Sequence, residues 1–384
     1  MRNVVISGIG CTNIGHFPTV QTYSLATEAI TTALKDAGVA WKDIQCAFCG
    51  NEDGGNAAGH LALSEMGYTG IPIINIENAC SSGTSAFRLA YNSVAYGQYD
   101  IVLALGFEKM PSGAIPSTAF PAWQLKMGFN FQPANYALEC MEYFHETGAT
   151  IDDVSRVAVK NRKHGALNPY ARYQKPVTME EVSNSRPICT PFHLLHCSPT
   201  SDGAVALIVC SQEKAKELSR AVKIKAATLV CGVYGDAFYQ NGLMYSQKYR
   251  PEEGFTELSA NEAYNIAGIG PEDIDVIQAY DSMAASELWD LEKLGFCKTG
   301  EAPKLMREGY FDLGGKKPCN TDGGIMARGH AIGATGGLQI YEIVKQLRGE
   351  AGPRQVEGAR LGLTHAMGAG PNSAVVILEK PDRA

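Results

Sequence analysis

Short apolar runs rich in valine and isoleucine alternate with helix-like stretches along most of this chain, and this alternation restricts the fold more than any other feature. Such runs are typical of parallel strands buried on both faces, and the stretches between them are long enough for crossover helices. The pattern predicts an α/β fold. Strands are expected at residues 3–8, 44–50, 71–76, 101–105 and 204–210, and then at 223–230, 274–279, 316–319, 360–364 and 373–379.

The two sets of strands follow the same order of events, which indicates an internal duplication. Each set has an opening strand, a helix that ends in an Ala-Gly turn, a strand that begins with Asp-Ile, and a glycine-rich element before the next helix. The first of these helices is expected at residues 25–37, closed by Gly38, and its counterpart at residues 260–267, closed by Gly268.

The chain has 384 residues, which is enough for two such halves. We place the N-terminal half at residues 1–220 and the C-terminal half at residues 221–384. Residues 110–198 interrupt the first half with a segment rich in aromatic residues and proline. Since aromatic walls with few charges suit an apolar ligand, we expect this segment to cap a site. The candidate substrate contacts are its aromatic residues, including Phe120, Trp123, Phe129, Phe131 and Tyr136. Packing into a satellite core is the alternative for each aromatic residue.

Composition and charge exclude several classes of function. The net charge is −7 and the basic residues are scattered, so nucleic acid is not an expected partner. The N-terminal residues alternate and turn too early for a signal peptide, and no apolar run is long enough to span a bilayer. A cytoplasmic protein without a membrane partner is expected.

Cysteine usage points to reduced thiols. The eleven cysteines are irregularly spaced, which fits buried thiols better than a disulfide framework. Cys46 and Cys49 form a CxxC pair that lacks a second pair. The histidines of PFHLLHCSP, His193 and His196, are three residues apart beside Cys197, but no fourth ligand is evident. No metal site is expected. His164, which follows a basic helix, is expected at the solvated surface.

Cys80 is the candidate nucleophile. The segment IINIENACSSGTS places it where a buried strand ends and small residues open a helix. A sulfur at a helix N-terminus is near free N–H groups and the positive end of the helix dipole, which favour thiolate over thiol. An inert core cysteine is the alternative for this segment taken alone.

His330 is the candidate base that activates this thiol. It lies in NTDGGIMARGHAIGATGG, between glycines and just before a helix expected at residues 339–347. Glycines allow backbone to approach a ligand closely, so Gly329 and Gly333 are candidate contacts for a coenzyme. A histidine there can take a proton from a thiol or polarise a thioester oxygen.

Two further strand ends carry polar residues. The segment LGLTHAMGAG places His365 at the end of a strand and Gly368 in the turn that follows. The segment IQAYDSMAASEL places Tyr280 and Ser282 at another strand end. Function in open α/β sheets concentrates at such ends, so these residues are candidate site residues. Gly368 and Ser282 are candidate contacts for the substrate or its coenzyme.

Together the segments resemble the thiolase superfamily over nearly the whole chain, closest to the sterol-carrier-type and archaeal thiolases. The resemblance is carried, in order along the chain, by ENACSSGTSAF, YDIVLALGFEKM, NPYARYQKPVT, CSPTSDGAVALI, GHAIGATGGLQIYEIVKQLRGEAG and GLTHAMGAGPNSAVVILE. It implies two βαβαβαββ halves packed as a five-layer αβαβα sandwich, with a cap or loop insertion. It also implies a homodimeric core and a two-step exchange in which Cys80 takes an acyl group from a 3-oxoacyl-CoA and His330 activates its thiol. Coenzyme A is then a co-substrate, and no tightly bound cofactor is expected.

The chain departs from the thiolase pattern at one motif. Thiolases of this subgroup carry HDCF where this chain has Tyr280, Asp281, Ser282 and Met283. Tyr280 can donate a hydrogen bond to an enolate oxygen, but Ser282 is too weakly acidic to replace a thiol as proton shuttle. His365 is the best remaining acid or base, although Tyr280 stays open as an alternative.

The altered pocket argues for an unusual aromatic or α-branched acyl chain, as in the 2-benzoylsuccinyl-CoA thiolases of aromatic degradation. Large subunits of this part of the family often work with a small OB-fold and zinc-ribbon protein, so such a partner is plausible. Two alternatives stay open. One is a thiolase-fold retro-aldolase that uses Tyr280 and Asp281 on a hydroxyacyl-CoA, and the other is a non-catalytic subunit that binds coenzyme A or serves assembly.

Overall fold

The computed structural model describes residues 1–111, 113, 122–127, 131–232, 253–369 and 371–381. Within these residues the strands are β1 (Val4–Cys11), β2 (Ala47–Gly50), β3 (Ile73–Ile76), β4 (Ile101–Glu108), β5 (Pro187–Cys189), β6 (Phe192–His193), β7 (Gly203–Ser211), β8 (Val222–Ala227), β9 (Val230–Cys231), β10 (Val276–Gln278), β11 (Leu361–Gly368) and β12 (Asn372–Glu379). The helices are α1 (Thr22–Ala37), α2 (Ala58–Ala62), α3 (Ser82–Ala95), α4 (Ala122–Lys126), α5 (Gln132–Thr147), α6 (Ile151–Gly165), α7 (Met179–Ser183), α8 (Phe255–Ala267), α9 (Ala284–Lys293), α10 (Ala302–Arg307), α11 (Gly324–Arg328) and α12 (Ile332–Arg348).

The strand order repeats one pattern twice. The large sheet runs β10-β11-β12-β8-β1-β7-β4-β2-β3, and β9 pairs with β12. In one series β3, β2 and β4 are parallel, whereas β4, β7 and β1 pair antiparallel. In the other series β10 and β11 are parallel, whereas β11, β12 and β8 pair antiparallel. The series meet where β1 pairs with β8, and their common pattern confirms the internal duplication.

One predicted strand is wrong. Residues 316–319 form no strand, and only Cys319 pairs, through a parallel bridge to Ile277 of β10. Cys319 pairs with β10 in the same way that β3 pairs with β2. The second half therefore keeps a chain segment at this position, but the segment does not form a strand. Pro318 has no N–H to donate to a ladder, and two glycines precede this stretch, which explains the loss.

The core confirms the five-layer α/β architecture. Along β4, Leu103 and Leu105 belong to a buried cluster with α1, whereas Val102 and Ala104 belong to a second cluster with α3 and α12. This alternation follows the two-residue period of a strand. The second cluster also takes residues from β8, β10 and β12, so α3 and α12 form the middle layer. The opposite face of the second strand series packs against α8 and α9.

Helix α12 begins at Ile332, seven residues before the predicted start at residue 339. Its glycines lie inside the helix because they allow neighbouring elements to come close. A Cβ added at Gly337 would lie 2.6 Å from Val205 Cγ1, and one added at Gly336 would lie 1.9 Å from Thr84 Oγ1. Tertiary packing therefore outweighs the poor helix propensity of glycine.

The predicted cap segment contributes α4, α5, α6, α7 and the short pair β5 and β6 to the described structure. Cys46 and Cys49 lie in two different core clusters, since residues three apart on a strand face opposite sides. No helix in the described parts of the chain is both long and apolar enough to cross a bilayer. The boundary of the two halves at residue 220 stays a prediction.

Candidate active site

A cavity of about 630 Å³ lies where several strands of the sheet end. Its walls include Cys80, which follows β3, and Tyr280 and Ser282, which follow β10. His330, two residues before α12, lines the same cavity. The volume is in the range of sites that enclose much of a small-molecule ligand. The structure thus brings together four of the residues that the sequence singled out.

The turn that carries Cys80 is held by local hydrogen bonds. Ala79 has a φ of 48°, a left-handed conformation that a residue with a side chain adopts at a cost of roughly 1 kcal/mol or more. The turn is stabilised because Ser82 Oγ accepts from the Asn78 amide at 2.8 Å and donates to the Ala79 carbonyl oxygen at 2.6 Å. Cys80 lies just before α3, so its predicted position at a helix N-terminus is confirmed.

The predicted preference of Cys80 for the thiolate form is wrong for the free protein. Burial raises the pKa of the Cys80 thiol well above its ordinary value, and the negative charge of Glu52 raises it further. These two effects oppose the stabilisation that a helix N-terminus provides. Cys80 therefore rests as a thiol and needs a base at the moment of reaction.

His330 is oriented to be that base. Its Nδ1 is 2.8 Å from Thr335 Oγ1, and the Thr335 hydroxyl donates its own hydrogen to the Ala331 carbonyl oxygen at 3.0 Å. The hydroxyl can then only accept from His330, so Nδ1 carries the proton and Nε2 is the free acceptor. The backbone of His330 is held as well, because its amide donates to Pro199 and its carbonyl oxygen accepts from Ser201.

Burial lowers the pKa of His330 to about 3, with a smaller contribution from the positive charge of Arg328. The imidazole is therefore neutral near pH 7. A neutral thiol and a neutral imidazole with its Nε2 free can exchange one proton when a substrate arrives, which is the arrangement that nucleophilic catalysis by a cysteine requires.

Tyr280 lies against both of these residues. Its hydroxyl forms a hydrogen bond with the Cys80 side chain, and its ring meets the His330 ring edge to face with centroids 6.1 Å apart. Ser282 Oγ donates to Tyr136 Oη at 2.9 Å, which joins the strand end to the cap segment. The tyrosine at the altered motif thus faces the thiol as an additional hydrogen-bond donor.

Asp281 is turned away from the cavity and holds a neighbouring helix. Its carboxylate accepts from the amides of Ile325 and Met326 at 2.8 and 3.2 Å, in the first turn of α11, and from Asn161 Nδ2 at 2.8 Å. Burial and the nearby Glu287 raise its pKa to about 7. Asp281 does not line the cavity, although the retro-aldolase hypothesis gives it a proton-transfer role.

His365 does not reach the cavity, contrary to the expectation that it serves as the second acid or base. It lies in the interior of β11, with Nδ1 3.5 Å from Asp290 Oδ2 of α9. Burial lowers the pKa of His365 to about 3 and raises that of Asp290 well above its ordinary value. On the same face of β11, Met367 is the residue that packs with Tyr280 and Cys80. His365 lies two residues before Met367 on that face, so it is too far from the end of the strand to reach the cavity.

The predicted coenzyme contacts at three glycines are not cavity walls. A Cβ at Gly368 would lie 2.2 Å from the carbonyl oxygen of Asn78, so this glycine lets β11 approach the Cys80 turn. A Cβ at Gly333 would lie 2.6 Å from Asn51 Cα, so it lets α12 approach the end of β2. Gly329 has a φ of 113° and packs against Ser201. The three glycines therefore shape the site by letting neighbouring segments of the chain pack closely.

The cap segment contributes aromatic residues to the cavity wall, as expected of it. Phe131, Tyr136 and Tyr173 line the cavity. Trp123 is on α4, is 42% exposed and is not among the lining residues. Phe120 and Phe129 lie outside the described residues.

His164, His193 and His196 have structural roles. His164 is 1% exposed rather than solvated, because its Nδ1 meets the Asn320 carbonyl oxygen and its Nε2 accepts from the Leu313 amide. His196 Nδ1 accepts from the His193 amide, and its Nε2 is 2.9 Å from Ser155 Oγ.

Positive side chains lie in the cavity wall. Arg172 contributes to it, and its guanidinium donates to the Thr200 carbonyl oxygen and lies over the Tyr173 ring at 5.5 Å. Arg186, which is exposed, is a second lining arginine. Guanidinium groups of this kind suit the phosphates of a coenzyme.

Sequence reasoning missed Glu52. This residue follows β2 by two positions and lines the cavity with Cys80. Burial, together with the charges of Glu108, Glu77 and Asp53, raises its pKa to about 7. Its position just beyond the strand expected at residues 44–50 was the available signal.

Comparisons with known proteins show which families and proteins the chain is similar to. The family model "Thiolase, N-terminal domain" matches residues 4–190, and "Thiolase C-terminal domain-like" matches residues 242–380. The chain is 35% identical to the acetyl-CoA acetyltransferase of Methanothermobacter thermautotrophicus, with 98% of this chain and 99% of that protein covered. It is 36% identical to the benzoylsuccinyl-CoA thiolase subunit BbsB of Thauera aromatica, with 96% and 95% covered. Among solved structures, the Ltp2-ChsH2(DUF35) aldolase superposes with a TM-score of 0.87 at 29% identity, with 99% of this chain and 98% of that chain covered.

Proposed function

The chain belongs to the thiolase family and is an acyltransferase, and from this premise we propose that it cleaves a 3-oxoacyl-CoA with coenzyme A through an acyl-enzyme on Cys80. The observation that carries the proposal is the shared cavity of Cys80 and His330, with the imidazole fixed so that Nε2 is free. Coenzyme A is a co-substrate in this scheme, and no tightly bound cofactor takes part.

In the first step His330 Nε2 takes the proton of the Cys80 thiol while the sulfur attacks the 3-oxo carbon. The bond between C2 and C3 then breaks, the acyl group stays on Cys80, and an enolate of the shortened thioester departs. The Tyr280 hydroxyl, which meets Cys80 in the free protein, is placed to donate to an enolate oxygen. Such covalent catalysis divides one difficult cleavage into two easier steps.

In the second step the thiol of a new coenzyme A attacks the acyl group on Cys80 and releases a second thioester. The positive groups of Arg172 and Arg186 support the binding of the coenzyme's phosphates at the cavity wall. The departing Cys80 sulfur recovers its proton from His330, which restores the free enzyme.

An aromatic or α-branched acyl chain fits this site best. Phe131, Pro133 and Tyr136 supply apolar wall from the cap, and Tyr280 replaces the histidine of the common motif beside the nucleophile. The similarity to a benzoylsuccinyl-CoA thiolase subunit supports the same substrate class.

A retro-aldol cleavage is the second candidate, because a similar solved structure is named an aldolase and Tyr280 lines the cavity. Two observations weigh against it. Asp281, its proposed proton-transfer partner, holds α11 instead, and the Cys80 and His330 pair has no role in a cleavage without an acyl-enzyme.

Assembly with other chains is part of the proposal. The Thauera relative is named a subunit, and the name of the aldolase joins two components, which supports a second component here. For that component the family resemblance implies a small OB-fold and zinc-ribbon protein. Strand β3 ends the large sheet, and Ile74 on it is 40% exposed, close in sequence to the exposed Leu61 and Tyr68. An unpaired strand edge with apolar neighbours suits pairing with a second copy. Light scattering should show a dimer that Ile74→Lys weakens.

The test is cleavage of four thioesters by the wild type, Cys80→Ser and Tyr280→Phe. Acetoacetyl-CoA, benzoylacetyl-CoA and a 2-methyl-3-oxoacyl-CoA are tested with coenzyme A, and a 3-hydroxyacyl-CoA is tested without it. A thiolase loses turnover in Cys80→Ser and keeps a reduced rate in Tyr280→Phe. Full turnover of a hydroxyacyl-CoA in Cys80→Ser, abolished in Tyr280→Phe, would instead establish the aldolase.

A further inference from the structure

We propose that Glu52 is the second proton-transfer residue of this site, which donates a proton to C2 of the departing enolate and then removes the thiol proton of coenzyme A. This inference rests on the thiolase function proposed above. It gives the site the acid that neither Ser282 nor the displaced His365 supplies.

Topology brings Glu52 to the nucleophile. Strands β2 and β3 are parallel neighbours in which Gly50 pairs with Ile76, so the segments that follow them leave the sheet at the same edge. Glu52 follows Gly50 by two residues, and Cys80 follows Ile76 by four. The Asn51 amide also donates to the Ile76 carbonyl oxygen at 3.2 Å, which holds the two segments together.

A second carboxylate fixes the Glu52 backbone relative to the His330 segment. Glu108 Oε2 accepts from the Glu52 amide at 2.9 Å and from the Gly333 amide at 3.0 Å. Its Oε1 accepts from Asn51 Nδ2 at 2.7 Å and from the Asp53 amide at 3.2 Å. Glu108 therefore links the turn after β2 to the first turn of α12, three residues beyond His330.

Glu108 and Glu52 differ in the hydrogen bonds that their carboxylates accept. Both oxygens of Glu108 are engaged by amide groups of the protein, whereas Glu52 Oε2 is buried and meets no hydrogen-bond donor in the described part of the chain. A buried oxygen without a donor costs stability and is rarely kept without a role. Among the described residues, Glu52 is the one carboxylate in the cavity wall.

Electrostatics agrees with an acid that can also serve as a base. Burial and the negative groups that face Glu52, which are Glu108 on β4, Glu77 after β3 and the adjacent Asp53, raise its pKa to about 7. The same carboxylate is the largest charge acting on the Cys80 thiol. A group with a pKa near the working pH is suited to give and take one proton in turn.

The proton balance closes over one cycle. Protonated Glu52 gives its proton to C2 of the enolate, so a new C–H bond replaces the broken C2–C3 bond and Glu52 becomes a carboxylate. The carboxylate then takes the proton of the coenzyme A thiol as the sulfur attacks the acyl group on Cys80. Glu52 ends protonated, and no oxidant or other co-reactant is needed.

The experiment compares full-length wild type with Glu52→Gln, Glu52→Asp and Asp53→Asn. Asp53→Asn is the matched control, because it removes an adjacent exposed acid. Three readouts are taken: the rate of Cys80 alkylation by iodoacetamide, single-turnover cleavage of benzoylacetyl-CoA against pH, and deuterium exchange at C2 of acetyl-CoA in D₂O.

We expect Glu52→Gln to alkylate at Cys80 at least as fast as the wild type, because a negative charge beside the thiolate is removed. Its cleavage and C2 exchange should fall at least about 100-fold. Wild-type cleavage should decline as pH rises through about 7, where the acid form of Glu52 is lost. Glu52→Asp should restore part of the rate. Asp53→Asn should keep the wild-type rate well below pH 7, with the decline moved to slightly lower pH because a negative charge beside Glu52 is removed.

Wild-type exchange and turnover in Glu52→Gln would overturn this proposal while leaving Cys80 chemistry intact. Parallel loss of alkylation and turnover would also overturn it, since it would mean that the substitution disrupts the site. Failure of the wild type to acylate Cys80 at all would overturn the proposed function, and this inference with it.

Discussion

His330 Nδ1 lies 2.8 Å from Thr335 Oγ1, and this contact decides which ring nitrogen faces the reaction. The Thr335 hydroxyl is committed as a donor to the Ala331 carbonyl oxygen, so it fixes the tautomer that leaves Nε2 unprotonated. Thr335, which fixes the tautomer of His330, therefore does not itself line the cavity.

Replacing Thr335 by valine should lower the rate of Cys80 acylation at least about tenfold, because the imidazole loses the acceptor that holds its tautomer. Thr335→Ser keeps the hydroxyl and is the matched control, which should stay near the wild-type rate. Rapid-quench measurement of acyl transfer checks both variants. Equal rates in Thr335→Val and Thr335→Ser would show that the hydroxyl does not orient the base.

Gly368→Ala should disturb the nucleophile as well as the fold, because its Cβ would lie 2.2 Å from the Asn78 carbonyl oxygen, two residues before Cys80. Overpacking of this kind costs about 1–3 kcal/mol of unfolding free energy. Gly362→Ala on the same strand meets the Ile343 side chain at 2.4 Å, away from the turn, and serves as control. We expect similar loss of stability in both variants, but slower iodoacetamide alkylation of Cys80 only in Gly368→Ala. Equal alkylation rates would contradict this account of the glycine.

The buried His164 should make the protein less stable in mild acid. Burial and the nearby Lys160 lower its pKa to about 3, whereas in the unfolded chain it titrates near 6.5. The unfolded state therefore binds more protons as pH falls from about 6.5 toward 3, and the stability present above pH 6.5 is lost over that window. Each such histidine accounts for about 1 kcal/mol between pH 6.5 and 5.5.

His164→Gln should flatten this dependence by one such increment in urea unfolding followed at several pH values. His145→Gln, which changes an exposed histidine, provides the matched comparison and should follow the wild-type slope. If His164→Gln shows the wild-type slope, the imidazole is not kept neutral by the fold.

Much of the fold could be predicted from the sequence, because strand runs and helix-ending glycines are local signals. Gly38 and Gly268 do end α1 and α8, with φ of 66° and 69°. The strand predicted at residues 316–319 does not form, because Pro318 has no N–H for a ladder and two glycines precede the stretch. The early start of α12 could not be predicted, since the glycines that weaken a helix locally are the ones that let it pack closely in the middle layer.

The site was predictable to the extent that it lies at strand ends. Cys80, Tyr280, Ser282 and His330 meet in one cavity as expected. His365 also seemed to be at a strand end, but β11 extends to Gly368, so the histidine is inside the strand and faces Asp290. Only tertiary structure fixes how far a strand continues and which side chains its alternation buries.

The acyl-enzyme on Cys80 is the central claim, and intact-protein mass spectrometry tests it most directly. The wild type, Cys80→Ser and Cys197→Ser are mixed with a panel of acyl-CoAs that includes benzoyl-CoA and branched chains. Cys197 lines the same cavity, so Cys197→Ser is the matched control. We expect a mass gain of one acyl group in the wild type and in Cys197→Ser. The gain should be absent from Cys80→Ser and should be lost when coenzyme A is added. No adduct with any donor, or an adduct that persists in Cys80→Ser, would contradict it.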